Sequence, residues 1–165
     1  MNPEATEIRR SDIRSATARR LIQALNAEML ERYPEDGTAD LFKLELDIDE
    51  VAQGQGLFLV AYSDGVPLAC GALKLLDPDT AEIRRMYVDP RGRGRGLGRR
   101  LLAALEAEAR LLGAEQLVLG TGPRQPDAIA LYINSGFSEI EAFGGYETHP
   151  LNLFMGKRLK KASAA

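Results

Sequence analysis

Glycines at 92, 94, 96 and 98 alternate with Arg91, Arg93 and Arg95, and Arg99 and Arg100 follow directly. This pattern suits phosphate. Glycines remove the side chains that would keep an anion off the backbone, and arginines bring fork-shaped donors to the same point. The run sits between two readable elements. Before it, Glu82-Ile83-Arg84-Arg85-Met86-Tyr87-Val88 is strand-like and stops at Asp89-Pro90, because proline cannot extend a central ladder. After it, Leu97, Leu101, Leu105, Ala109 and Leu112 recur on one face of an amphipathic helix, and Gly113 supplies a stop. The first N–H groups of that helix lack internal partners and carry the positive end of its dipole. A phosphate-bearing ligand is therefore expected at the loop.

Other phosphate and nucleic-acid patterns fit less well. A Walker loop fails because position 97 is Leu and no Lys follows. A dinucleotide G-x-G-x-x-G fails because Arg99 stands three after Gly96 and Leu101 three after Gly98. An arginine-glycine nucleic-acid tail would be disordered, whereas this repeat is short and wedged between strand and helix. The formal charge of −3 also argues against nucleic acid as a partner.

Arg93-Gly94-Arg95-Gly96-Leu97-Gly98 is an R-x-x-G-x-G at a helix start. Downstream stands Ala130-Leu131-Tyr132-Ile133-Asn134-Ser135-Gly136-Phe137. The first resembles the acyl-CoA loop of the GNAT superfamily of N-acyltransferases, and the second its L-Y-x-x-x-G-F segment. The two occur in the family's order, separated by a helix and a strand, and the resemblance covers roughly residues 55 to 157. It implies an acetyl-CoA-dependent N-acetyltransferase that acts on a primary amine by direct attack in a ternary complex. Cofactor contacts are expected from Arg93, Gly94, Arg95, Gly96, Leu97, Gly98 and Arg99 on the pyrophosphate. The backbones of Met86 and Val88 are expected along the pantetheine arm, added as a peptide adds to a strand.

Such a transfer has two proton problems. An ammonium must lose a proton before it attacks, with a free amine pKa near ~10.4, and the leaving thiolate is helped by an acid. By the resemblance, Glu82 is the expected base and Tyr132 the expected acid. Strand alternation would put Glu82 on one face with Arg84 and Met86. The plainer readings stay open: Glu82 as an ion-pair partner of Arg84 or Lys74, and Tyr132 as a core residue. The chain departs from the family twice. Gln125 stands where many members have an asparagine reaching CoA, and it can make the same bond types. Gly120 stands where close relatives often carry an acid.

Tyr33, Phe143 and Tyr146 are candidates for an acceptor pocket, or for loop anchors. Walls of that kind suit a small amine better than a polypeptide, and the acidic balance weakly favours a cationic one. Two alternatives remain: a catalytically silent acyl-CoA-binding regulator, and an acetyltransferase for a protein amine. Cys70 fits a small buried core residue, and His149 a surface loop. One cysteine and one histidine give no basis for a metal site.

What must position these residues is one domain over 1–165, large enough for a core, with 45% hydrophobic and 27% charged residues. The expected architecture is α/β: a single mixed, mostly antiparallel sheet flanked by helices. By the resemblance, it is splayed at a central parallel pair between the Glu82 strand and the Leu117 strand. Expected strands are 6–9, 57–62, 68–75, 82–88, 117–119, 137–143 and 151–155. Expected helices start at a Ser11 or Asp12 cap, at Thr38 (carrying Leu41, Phe42, Leu44 and Leu46), at Leu97 and at Asp127. Residues 157–165 are expected to be a frayed basic tail. With no signal-like or membrane-length apolar run, the expected setting is cytoplasmic and off the membrane, with the late strands offering an edge for a homodimer.

Overall fold

The computed structural model describes residues 5–44 and 56–159. Strand β1 (Thr6–Arg10) leads into helix α1 (Ala16–Arg32). The cap of α1 is Ser15, whose Oγ accepts the Ala18 N–H at 3.1 Å. Ser11 and Asp12, the expected caps, lie before it, and Asp12 instead accepts the Arg14 N–H in a turn of its own. Leu21, Ile22 and Met29 form the buried stripe of α1, which ends at Tyr33 just before Pro34. Helix α2 (Thr38–Leu41) is one turn long. Thr38 is its first residue rather than its cap, and its hydroxyl donates to the Tyr33 and Glu35 carbonyls. Lys43 turns the chain out of the helix with φ 51. The expected continuation to Leu46 lies outside the described residues.

β2 (Gly56–Ser63) and β3 (Val66–Asp77) form the expected hairpin. Its two central residues, Asp64 (φ 49) and Gly65 (φ 80), both have the positive φ of a turn matched to strand twist. Then follow β4 (Thr80–Val88), a 3₁₀ turn (Pro90–Gly92), α3 (Leu97–Leu111), β5 (Gln116–Thr121), α4 (Pro126–Asn134), β6 (Ser138–Glu139) and β7 (Leu153–Arg158). The expected strand 137–143 is thus two residues long. Of the expected frayed tail, Lys157 and Arg158 instead pair with β5 and Leu159 is buried, and the rest lies outside the described residues.

The sheet order is β1-β2-β3-β4-β5-β7-β6, and β4–β5 is its parallel pair. Crossover helix α3 packs on one face, with Leu101, Leu105 and Ala109 against Ile83, Leu119 and Tyr132. Helix α1 covers the other face, with Leu21 and Ile22 against Phe58, Val60 and Tyr87. Gly71 lets α3 settle this closely, since a Cβ there would stand 2.8 Å from Leu105 Cδ1.

Two features of β4 shape everything that follows. Its ladder with β5 runs from Thr80–Gln116 to Ile83–Leu119, and β4 then continues to Val88 paired with β3 only. This is the expected splay. The second feature is a bulge: Cys70 faces Tyr87 and Ala72 faces Arg84, so Gly71 opposes both Arg85 and Met86. Arg85 takes φ 56, a costly conformation for a side-chain-bearing residue. The extra residue breaks the alternation. Met86 and Val88 turn to the α3 face, while Arg84, Arg85 and Tyr87 all turn to the α1 side. The expected sharing of a face by Glu82 and Met86 is therefore wrong, and the bulge is the reason.

Candidate active site

The glycine loop is built by backbone conformation. Asp89 accepts the Arg91 N–H and starts the 3₁₀ turn, after which Gly94 (φ 80) and Gly96 (φ 79) turn the chain through the left-handed region. Gly96 is the N-cap of α3 and offers no side chain, so the first-turn N–H groups have no side-chain cap. They border a cavity of about 410 Å³ whose walls include Gly94, Gly96, Gly98, Arg99, Met86 and Val88. The far wall is α1, through Leu25, Glu28 and Met29. Arg93 is already engaged. Its Nε donates to the Val88 carbonyl at 2.9 Å, and one terminal nitrogen donates to both Glu28 oxygens, at 2.9 and 2.8 Å. Arg95 is exposed and Arg99 lines the cavity.

A smaller cavity of about 90 Å³ lies toward the other end of the β4–β5 gap, bordered by Glu82, Arg84, Arg85, Thr121, Tyr146 and Asn152. Both cavities share Leu25, Met29, Met86, Gln125 and Tyr132 as walls. Together they form one groove, with the glycine loop at one end, Glu82 at the other and Tyr132 at the junction.

Glu82 is only 4% exposed and accepts the Tyr146 hydroxyl at 2.8 Å. Burial raises its pKa, against the opposing pull of the Tyr146 hydrogen bond and the charges of Lys74, Lys43 and Arg85. Its acidity thus moves toward the range useful to a base working near neutrality. Tyr146 is held by edge contacts with Phe143 at 5.6 Å and a tilted contact with Phe154 at 5.7 Å. Lys43 Nζ lies 4.0 Å from its ring centroid. Tyr132 is buried, with its ring edge-on to Phe137 at 5.8 Å. Burial pushes its phenol well above the ordinary value, so it carries its proton at neutral pH.

Gln125 precedes α4, and its Oε1 accepts from Thr121 Oγ1 at 3.4 Å. Phe143 supports Tyr146 from behind and lies outside both cavity walls. Tyr33 likewise lies outside both walls and is wholly buried. It packs on Phe42 at 4.7 Å, and its hydroxyl accepts the Arg124 N–H at 3.0 Å. Position 122 is glycine because a Cβ there would coincide with that hydroxyl. At Gly120, a side chain would meet the Phe154 ring at 3.6 Å. Cys70 is buried, and burial pushes its thiol up to about 12. His149 is exposed and accepts the Leu151 N–H. Among the described residues no three His, Cys, Asp or Glu gather as a metal set, and no helix is long and apolar enough to cross a membrane.

Several wall residues had no clear sequence signal. Glu28 is one helical turn beyond Leu25, but nothing local marks it as the partner of Arg93. The paired Arg84 and Arg85 are on one face only because of the bulge, and Thr121 and Asn152 arrive from separate segments.

Known proteins agree with this geometry. The acetyltransferase (GNAT) family matches residues 18–137. An IAA acetyltransferase of Azospirillum brasilense is 37% identical over 158 residues, spanning 95% of this chain and 99% of its own. A Klebsiella pneumoniae structure assigned as an acyl-CoA N-acyltransferase is 35% identical with TM-score 0.80, covering 94% of this chain and 98% of its own. The PaiA N-acetyltransferase of Thermoplasma acidophilum, solved with coenzyme A, shares the fold at TM-score 0.71 and 20% identity, covering 94% and 99%. With a family match over most of its length and a sheet shared with solved acyltransferases, this chain belongs to the GNAT acetyltransferase family and is an acyltransferase.

Proposed function

We propose that the chain transfers an acetyl group from acetyl-CoA to the primary amine of a small molecule, by direct attack in a ternary complex. One observation carries the reading: a single groove links an uncapped helix N-terminus to a buried carboxylate, with a protonated tyrosine at the junction. The N–H groups of α3 would hold the pyrophosphate, with Arg95 and Arg99 beside it. Arg93 would remain on Glu28 or exchange it for phosphate. The edge of β4 from Met86 to Val88 that β5 leaves uncovered would line the pantetheine arm, and the Gln125 amide would meet it from the turn before α4.

At the other end, Glu82 takes a proton from the ammonium, directly or through a water. The neutral nitrogen attacks the thioester carbonyl, the carbon–sulfur bond breaks, the Tyr132 hydroxyl gives its proton to the departing sulfur, and the nitrogen's surplus proton returns to the Tyr132 phenolate through solvent. The products are an amide and CoA. Cys70 favours direct attack over an acyl-enzyme, because a buried, protonated thiol is a poor nucleophile. The 90 Å³ acceptor end supports a small molecule over a polypeptide, which needs an open groove. The name of the Azospirillum relative does not fix the acceptor here. The test measures CoA thiol release over a panel of small amines and Lys-containing peptides. Turnover of peptides far above every small amine would overturn the small-molecule reading. Acetyl-CoA binding with no thiol release under any amine would overturn acetyl transfer itself.

A further inference from the structure

Tyr33 lines neither cavity, yet it reaches the groove through one side chain. Its hydroxyl donates to Gln125 Oε1 at 3.5 Å, and Gln125 walls both cavities. Thr121, itself buried, donates from its Oγ1 to the same oxygen at 3.4 Å. Each contact is at the long end of hydrogen bonding, so neither alone decides how the amide faces. The proton of Tyr33 decides it. The hydroxyl oxygen already accepts the Arg124 N–H, and burial raises the phenol's pKa, so its own proton is present at neutral pH. A wholly buried hydroxyl needs an acceptor for that proton, and the Gln125 oxygen is the one it has. Turning the amide over would face a donor with a donor.

The hydroxyl has little freedom of its own. Its ring packs on Phe42 at 4.7 Å and shares a buried cluster with Met29. A Cβ at position 122 would stand 2.0 Å from the hydroxyl oxygen, so the turn after β5 closes directly on it. The same turn is tied to the end of α1 by Arg124, whose guanidinium donates to the Arg32 carbonyl at 2.9 Å and pairs with Glu35. Arg32 in return donates to the Arg124 carbonyl at 3.2 Å. Tyr33 is thus a fixed post between α1 and the turn that carries Gln125.

With its oxygen turned to two hydroxyls, the Gln125 carboxamide has its NH2 group left for the groove. That nitrogen has no hydrogen-bond partner among the described residues. A glutamine held at neither end samples several rotamers, whereas one held by its oxygen keeps its donor in one place before a ligand arrives. Where the two cavities join, a fixed N–H donor suits a carbonyl oxygen on the arm that carries the acyl group. We infer that Tyr33 is a positioning residue, which acts through Gln125 to aim an N–H donor at a carbonyl of the acyl-CoA arm. This rests on the acetyl-transfer reading above and adds to it a residue outside the groove.

The test is a double-mutant cycle between Tyr33→Phe and Gln125→Ala, read by thiol release in kcat and in KM for acetyl-CoA. Tyr33→Phe keeps the ring on Phe42 and removes only the hydroxyl. It should raise KM at least about three-fold with kcat nearly unchanged, the mark of lost ligand binding. Gln125→Ala should raise KM at least as much, and adding Tyr33→Phe to it should cost nothing further. A merely structural hydroxyl would lower the thermal midpoint without moving KM, or its effect on KM would recur in full beside Gln125→Ala. Either result overturns the inference and leaves acetyl transfer standing, as does a loss confined to kcat. Should Tyr33→Phe fail to fold by circular dichroism, Thr121→Val takes its place in the cycle with the same expectation. Wild-type protein that releases no thiol under any amine overturns the acetyl-transfer reading. The cycle is then read in CoA affinity by calorimetry, where additive losses would overturn the role of Tyr33 as well.

Discussion

The two ends of the groove bind by different means. At the α3 end the donors are backbone N–H groups, presented by glycine turns and backed by exposed arginines. At the Glu82 end the donors and acceptors are side chains, buried or half-buried, brought from β4, the end of β5 and the loop carrying Tyr146 and Asn152. A site made of backbone tolerates change in the residues around it, provided the glycines keep their conformation. A site made of buried side chains is altered by almost any single exchange. The first arrangement suits a ligand part common to many reactions, and the second suits the part that differs.

That contrast can be broken first at the junction. Tyr132→Phe should lower kcat on the order of 10²-fold or more with acetyl-CoA affinity nearly unchanged, as expected for a lost proton donor. If kcat holds and only the thermal midpoint drops, Tyr132 is a core residue. Glu82→Gln should cost a comparable factor and abolish the acidic limb of the pH–rate profile. It should also raise stability. The raised pKa means that the folded chain binds this proton more tightly than the unfolded chain. Wild-type stability therefore falls as pH climbs above the ordinary value of 4.5 and through the folded one. Glu82→Gln removes that fall, so at neutral pH its midpoint should lie above the wild type by scanning calorimetry. A midpoint below the wild type would mean that the carboxylate is a net stabilising partner.

Next comes the backbone end. Gly96→Glu puts a side chain and a like charge at the helix start, at φ 79, and should weaken CoA binding at least about ten-fold, or ~1.4 kcal/mol. Unchanged affinity in calorimetry, with the fold intact, would remove the pyrophosphate from this loop. Tyr146→Phe is a smaller perturbation at the other end. Its hydroxyl lowers the Glu82 pKa, so its loss should move the acidic limb to higher pH and cost more activity at pH 6 than at pH 8. An equal loss at both would separate Tyr146 from Glu82 ionisation. Smallest is Glu28→Gln. Releasing Arg93 from a partly exposed pair should raise CoA affinity by about two- to three-fold, on the order of ~0.5 kcal/mol. A fall would make Glu28 a support for the loop instead of a competitor.

How far each end was visible in the sequence follows from the same contrast. The loop at 92–98, the strand before it and the helix after it are contiguous, so spacing alone carries the design. The sheet's parallel pair is legible for a similar reason, since a strand, a helix and a strand follow in order. Arg84 and Arg85 were not legible as a pair, because the bulge at Gly71 depends on the register of a second strand. Tyr33 stayed open between two readings, because an aromatic at a helix end suits a pocket wall and a buried strut equally. Only the fit of its hydroxyl against Gly122 decides. The short β6 and the ordered Lys157–Arg158 pairing likewise depend on β7 meeting β5, a contact with no local signature.

The burial of Cys70 has a practical consequence at the bench. It is the chain's sole cysteine, and its sulfur donates to the Arg85 carbonyl from a site closed to solvent. A disulfide reagent that reports thiols by colour should therefore find none on the native protein. Each equivalent of dye released during turnover would then count one CoA, so a reading could be taken at enzyme concentrations close to those of the substrate. The same reagent added with denaturant should reveal one thiol per chain, making the lag before that signal a measure of how fast the folded molecule opens.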